Sequence, residues 1–561
     1  MGYKEGIAAS QQWLMPYSIE EWIEANNPVR VIEAYVNSLP MEVLGFNRAK
    51  PRETGRPGYD PRDMLKLYIY GYLNGIRSSR RLMRECRRNV ELFYLLGMLR
   101  PDFRTIADFR KDNRRALKAV FKDFVSMCAE LKLLGKKTFA VDGTKIRAVN
   151  SKKKSYTPEI LDKKLGYIRE QEARIEEYLR QMDEEDAREK AVPEFEIKPK
   201  DMPRKLEELR ERKKKYEGYR KRMEETGEKQ ILETDPECRT IHTKEGLLPA
   251  YNIQTVVDDK CHMITNFRTT NANTDQGQLG RMAEQIKEEL RIETAEFIAD
   301  KGYESRTDIE KCIMNGVIPN VGFKYDKEER VFDLEYIPAE IDEQTRKSCK
   351  PEDIQTCLHA GVLPSCYENS TLSLEVQHKS TVSCFIRHED GRVTCPTGKE
   401  FFYLGTKKYG KVYGSHEACR TCPNRCTDSK NPKEVLFGNH TTYVPVYIYG
   451  KPKVPLQVIP DVQQSTPYNH FGRRKQAPAR VRLTIRRDME KMQKRKELVE
   501  HPFGTIKWYD GAHYFLCKGK EKVSAEIALS FLTYDLRRAI NILGVGVLLA
   551  HLRERKAKNR G

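Results

Sequence analysis

Two strand-length apolar runs, Lys137–Asp142 and Ala295–Asp300, each end on an aspartate and are each followed by a glycine turn. Strands this short cannot bury themselves, so the chain must fold them into one sheet with other segments. What lies between them has a different character. From Ile160 to Met223 the sequence is dense in charge, with Leu161, Leu165, Ile168, Ile175, Leu179 and Met182 at steps of three and four and one gap at Glu172. After a break at Ala191–Pro203 the pattern resumes at Leu206, Leu209, Tyr216 and Met223. This predicts an antiparallel helical hairpin projecting from the body, a spacer or oligomer contact and not a catalytic element.

Beyond it, Ala250–Val257 and Met263–Arg268 read as strands joined by a turn at Asp258–Lys260, and Thr274–Leu290 reads as a helix. The stretch from about Asp326 to Pro478 is rich in Cys, Pro and Tyr and reads as an irregular insertion. Arg486–Lys507 is basic and helical in part, and Ser524–Leu543 reads as an amphipathic helix that closes the fold. The expected class is mixed α/β, with acids at strand ends.

Lys+Arg outnumber Asp+Glu by 101 to 82, a formal net charge of +19, which points to a polyanionic partner. The positive charge is concentrated. Ile76–Val90 holds Arg77, Arg80, Arg81, Arg84, Arg87 and Arg88 against the single acid Glu85, at steps that place them on one helix face suited to phosphates. Arg473–Lys496 is a second basic run, leading into Glu500, and is expected to line a DNA channel. Met1–Tyr17 has no basic region followed by an apolar run, and Ala539–Leu552 is shorter than a membrane span needs. The chain is therefore expected to be cytoplasmic with no membrane partner, its cysteines thiols or metal ligands.

Phosphoryl transfer on DNA needs an activated oxygen nucleophile and neutralisation of charge at phosphorus, which a pair of Mg²⁺ or Mn²⁺ ions held by carboxylates supplies. Three acids suit that work: Asp142 in AVDGTK, Asp300 in IADKGYES and Glu500 in KRKELVEHPFGTIK. A lone aspartate at a strand end is ordinarily a turn or cap residue, so context decides. In context, with PRDMLKLYIYGYLNGIRSSRRL, PDFRTIADFRKDN, AYNIQTVVD, TNANTD and AEIALSFLTYDLRRAINIL in order, the chain resembles DDE transposases of bacterial insertion sequences.

The resemblance implies a ribonuclease-H-like catalytic core, with Asp142, Asp300 and Glu500 as the metal-binding triad. It also implies phosphate contacts from Lys507, seven positions after the glutamate, and from Arg495 or Lys496 before it. The tyrosine that relatives carry just upstream of that arginine is replaced here by Met492 and Gln493. The expected organisation is a helical DNA-binding domain over 1–130 and the first part of the core over 131–325, with the hairpin at 156–230. The Cys-rich insertion follows over 326–478, and the rest of the core over 479–561.

Within that insertion Cys395, Cys419, Cys422 and Cys426 have the spacing of tetrahedral structural Zn²⁺, with His416 or Cys384 as substitutes. The resemblance further implies double-stranded DNA, both element ends and target, and a homodimer or larger assembly. The rival readings are a repressor descended from a transposase and a ribonuclease-H-like nuclease that cuts without joining. No phosphate-binding glycine loop is present, so ATP dependence is not expected.

Overall fold

A computed structural model of the chain describes residues 18–50, 57–186, 201–243, 245–324, 328–335, 337, 339–376, 386–387, 390–395, 398–407, 410–422, 432, 434–438, 463–464 and 480–558. It divides into two units, the first made of Met1–Leu134, Gly143–Thr274 and Val499–Gly561, the second of Gly135–Asp142 and Asp275–Leu498.

The first unit opens with six helices: α1 (Pro28–Ser38), α2 (Pro61–Leu73), α3 (Ser79–Glu85), α4 (Val90–Leu96), α5 (Phe103–Asp112) and α6 (Arg114–Glu130). Their starts are written in the sequence. Asn27 accepts from the Val29 N–H at 2.9 Å and Asp60 from the Arg62 N–H at 2.7 Å, each just before a proline at the first helical position. Helix α2 is buried from Met64 to Tyr72. It has room for α3 because of Gly71: a Cβ there would lie 2.5 Å from Leu82 Cδ2 and 2.7 Å from the Ile76 carbonyl oxygen.

Strand β1 (Thr138–Arg147) is shared, its first half in the second unit and its second half in the first. It runs straight through Gly143, so Asp142 lies within the strand and not at its end. The charged segment is the expected hairpin. A clasp of β2 (Ser155–Tyr156) with β3 (Ile231–Leu232) closes the base of α7 (Pro158–Asp186) and α8 (Met202–Thr226). Ile168, Ile175, Met202 and Leu209 form its seam. Ion pairs Asp162–Arg220 at 2.8 Å, Glu172–Lys213 at 2.7 Å and Glu176–Arg210 at 3.2 Å show the helices antiparallel. The gap in the apolar pattern at Glu172 is thus filled by a cross-helix lysine.

Strand β4 (Arg239–Thr243) pairs antiparallel with the first half of β5 (Gly246–Asp258), and β6 (Ile264–Thr270) with its second half. In the second unit come α9 (Leu279–Leu290), β7 (Ala295–Ala299), α10 (Arg306–Met314) and β8 (Val317–Val321). Helix α9 starts at Leu279 and not at Thr274, because Gly277 turns the chain at φ +77° just before it. Strand β7 pairs parallel with both β1 and β8, giving the strand order β4-β5-β1-β7-β8 with β6 also on β5.

The stretch expected to be irregular contains regular structure among its described residues. Strand β9 (Glu329–Glu335) and helices α11 (Glu343–Lys347) and α12 (Pro351–His359) precede β10 (Leu372–Val376). Then come β11 (Ile386–Arg387), β12 (Val393–Thr394), β13 (Glu400–Lys407), β14 (Gly410–Gly414), α13 (His416–Arg420), β15 (Glu434–Gly438) and β16 (Gln463–Gln464). Strand β17 (Arg480–Arg486) pairs antiparallel with β9 and β10, and β11–β16 make a second sheet. In β17 Val481, Leu483 and Ile485 are buried between the arginines, a period-two pattern hidden inside the basic run.

Helix α14 (Met489–Gly504) leads through a π turn, Thr505–Tyr509, to α15 (Lys520–Lys558), which is interrupted at Gly544. Every residue from Val523 to Leu536 of α15 is buried. The helix is therefore a central spine and not the one-sided amphipathic helix its sequence suggests. It packs on α1, α2, α6 and β6, with Phe531 against Phe267 at 5.1 Å between ring centres. No helix of the described residues is long and apolar enough to cross a membrane.

Candidate active site

The second unit brings Asp142 and Asp300 side by side. Strands β1 and β7 are parallel neighbours whose register ends at Val141 opposite Ala299, so the next residue on each is an aspartate. Adjacent strands lie about 4.8 Å apart, which puts both carboxylates at one end of the parallel pair. Three residues earlier on each strand, Phe139 and Phe297 are paired and stack at 5.3 Å. Where β7 ends, Asp300 caps the turn Lys301–Tyr303, accepting from the Gly302 N–H at 2.8 Å. The turn packs closely on two carboxylates: a Cβ on Gly302 would lie 2.9 Å from Asp300 Oδ1 and 3.5 Å from Asp275 Oδ2, so a larger residue would push them aside.

Asp275 therefore belongs to the same neighbourhood. The sequence held a signal for it, the TNANTD run, but gave it only a place near a helix start. Tyr303 is fully buried, and its phenol is pushed well above its ordinary range by that burial and then by Asp275, Asp142 and Asp300, with Arg495 opposing. Arg495, on α14, stands 3.7 Å from Asp142 Oδ2. Among the described residues, no group of three or more His, Cys, Asp or Glu side chains is placed to hold a metal ion.

Glu500 belongs to the first unit, exposed on α14 between the buried Val499 and Pro502. Lys496 is exposed four residues before it, on the same helix face. Lys507 lies in the π turn, its Nζ 3.5 Å from the Lys145 carbonyl oxygen and 6.0 Å from the centre of the Phe503 ring. Next to Glu500, His501 Nδ1 meets the Tyr534 hydroxyl at 2.9 Å, and that hydroxyl donates to the His262 carbonyl at 3.1 Å. Burial, helped by Arg538, holds the His501 ring's pKa below its usual value.

The arginine face is smaller than expected. Helix α3 ends at Glu85, so Arg87 and Arg88 stand in the turn before α4; they are exposed, as are Arg80, Arg81 and Arg84 on α3. Arg77 is not part of this face. It precedes the helix, is buried, donates to Glu526 at 2.7 Å and to the carbonyls of Tyr514 at 2.5 Å and Gly511, and lies over the Tyr514 ring. Its place as a phosphate contact is withdrawn, since every direction in which its guanidinium could reach out is taken by protein. Its partner Glu526, on α15, is the other half of this buried pair.

In the insertion, Cys395 and Cys419 pack against one small cluster of Val393, Phe401 and Tyr413. Cys422 is half-buried after α13. Cys426 and Cys384 lie outside the described residues, as do Met1–Tyr17 and the part of the second basic run from Arg473 to Ala479.

The family profile described as Transposase domain (DUF772) matches residues 17–112, and Transposase DDE domain matches residues 222–536. No curated protein matches the sequence. A cryo-EM structure of the piggyBac transposase synaptic complex with hairpin DNA is similar at 8% identity over 95% of this chain and 79% of that one. Its TM-score of 0.26 is below the level at which two chains share a fold. The DDE profile spans more than half of the sequence, from the end of the helical hairpin to the middle of α15, and includes both Asp300 and Glu500. The chain belongs to the DDE transposases, DNA-transposing enzymes of the insertion-sequence type.

Proposed function

We propose that this transposase binds the ends of an insertion sequence, cleaves their phosphodiesters and joins the freed 3′-hydroxyls to target DNA, with Asp142, Asp300 and Glu500 as its metal-holding triad. The observation that carries the reading is the register of β1 on β7, which sets Asp142 beside Asp300. The strand order, with β6 and β4 on β5 and then β1, β7 and β8, supports a ribonuclease-H-like core. The donors fit Mg²⁺ or Mn²⁺ in kind: hard carboxylate oxygens, already facing the cationic Arg495. They do not by themselves complete a ligand set, which is the part assigned to Glu500.

Divalent ions, when bound, would activate the attacking oxygen and stabilise the leaving one. The chain's own residues do the rest. Asp142 and Asp300 hold fixed positions on paired strands. Arg495, Lys496 and Lys507 bind and orient the phosphates of the end. Arg80, Arg81, Arg84, Arg87 and Arg88 contact the backbone of flanking DNA, and a homodimer or larger assembly grips two ends. Mn²⁺ is expected to raise the unfolding temperature of the wild type and not that of an Asp142→Asn/Asp300→Asn double variant. Equal stabilisation of both would remove the aspartates from the metal site.

Structural Zn²⁺ on Cys395, Cys419, Cys422 and Cys426 is a separate part of the proposal, supported by the packing of Cys395 and Cys419 on one cluster. Metal analysis is expected to find one zinc per chain in the wild type and much less in Cys422→Ser. A zinc-free wild type would end it.

A further inference from the structure

Among the described residues of the first unit, the two most exposed large aromatic side chains stand next to each other shortly after Glu500: Trp508 at 84% and Tyr509 at 74%. A loose loop could leave such rings outside by default. This segment is not loose. Ile506 is buried, the Asp510 N–H donates to Thr505 O at 3.0 Å, and the Ala512 N–H donates to Ile506 O at 3.0 Å. The Asp510 carboxylate is buried against Arg537 at 2.9 Å, and Arg537 also donates to the Leu73 carbonyl at 2.6 Å. On the far side of Gly511, Arg77 and Glu526 hold the chain from Gly511 to Cys517.

The frame also prepares one ring. The Arg537 guanidinium lies 4.8 Å from the centre of Tyr509, covering part of it while most of the side chain stays in solvent. Leaving an indole and a phenol in water on a rigid support forgoes the burial that a fold normally exploits. Two adjacent rings held outward on a fixed frame make a flat apolar surface open to a planar partner.

Charge says which partner. From His501 to Lys520 the only acid is Asp510, buried and paired, while Lys507, Lys518 and Lys520 are basic. A protein surface could bury the two rings, but only an acidic one would also meet the lysines. The nucleotides of an unpaired strand offer base π faces to the rings and backbone phosphates to the lysines, the combination that binds single-stranded nucleic acid without sequence preference. We propose that Trp508 and Tyr509 form a stacking platform for an unpaired nucleobase of the DNA end. The inference rests on the transposase reading for its substrate and deepens it, because it specifies a single-stranded feature of that substrate.

The full-length protein is titrated with short oligothymidylate and, separately, with a fully paired duplex, following tryptophan fluorescence and binding anisotropy. Oligothymidylate is expected to quench tryptophan emission in the wild type and not in Trp508→Ala. Its affinity should fall about tenfold or more in Trp508→Ala and recover in Trp508→Phe, while duplex affinity changes by less than about twofold. Oligothymidylate bound equally well by Trp508→Ala would overturn the platform, as would equal losses for both DNAs. So would a Trp508→Ala protein that loses a self-association seen in the wild type, since a second copy would then be what covers the rings. Asp300→Asn separates the two readings. If it cleaves like wild type while Trp508→Ala still loses strand binding, the catalytic reading fails and the platform stands; the reverse pattern fails the platform alone.

Discussion

Asp300→Asn is expected to remove DNA cleavage and joining, a loss of at least about a thousandfold, while leaving binding to end DNA within about twofold of wild type. The substitution is chosen for what it preserves. Asp300 accepts a hydrogen bond from the Gly302 N–H at 2.8 Å, and an asparagine carbonyl can accept the same bond, so the turn at the end of β7 keeps its cap. Only the negative charge and one hard oxygen donor are lost. Because Asp142 is Asp300's neighbour in register, a fold defect would show as loss of both binding and thermal stability. Gel-shift and strand-cleavage assays on the same preparation separate the outcomes; retained cleavage would take Asp300 out of the catalytic set.

Glu526→Gln is expected to cost about 3–5 kcal/mol of stability, the usual consequence of leaving one member of a buried ion pair alone. Arg77 and Glu526 have side chains only 7% and 1% exposed and meet at 2.7 Å. Glu526 also accepts from the N–H groups of Leu516 at 3.0 Å and Cys517 at 2.9 Å. A glutamine would present an amide N–H₂ to one set of these donors, so the change adds a donor clash to the lost charge. Urea unfolding measures the effect, and Arg77→Met should cost a comparable amount. A double variant with costs far below their sum would confirm that the two act as one unit. A loss under about 1 kcal/mol for Glu526→Gln would mean that water reaches the pair in solution.

The pair also shows where sequence reading stops. Six arginines at helical spacing look alike in the sequence, yet Arg77 stands before Ser78 and outside α3, and its partner lies far along the chain. A clue did exist: an acid among Ala525, Ile527, Ala528 and Leu529, in a helix buried on every side, needs a counter-charge. The strands bearing Asp142 and Asp300, the hairpin and the β5–β6 pair were legible because each is local and periodic. The register that makes the two aspartates neighbours is not local and had to come from the fold. Strand β17 was hidden because alternating arginines read as a basic run and not as the outward face of a sheet. Asp275 was visible as a residue but not as a neighbour of Asp300, since the two are distant in sequence and share the surroundings of Gly302 only in the fold.

The central claim is metal-dependent transposition chemistry at the ends of the element, and the most direct measurement is strand cleavage of a DNA fragment carrying the gene's own flanks. Wild-type protein with Mg²⁺ or Mn²⁺ is predicted to cut at the boundaries of matching inverted repeats, leaving 3′-hydroxyls, and to stop when the cation is chelated. Tight binding of the same fragment with no cutting under either cation would contradict the account and return the chain to the role of a DNA-binding repressor.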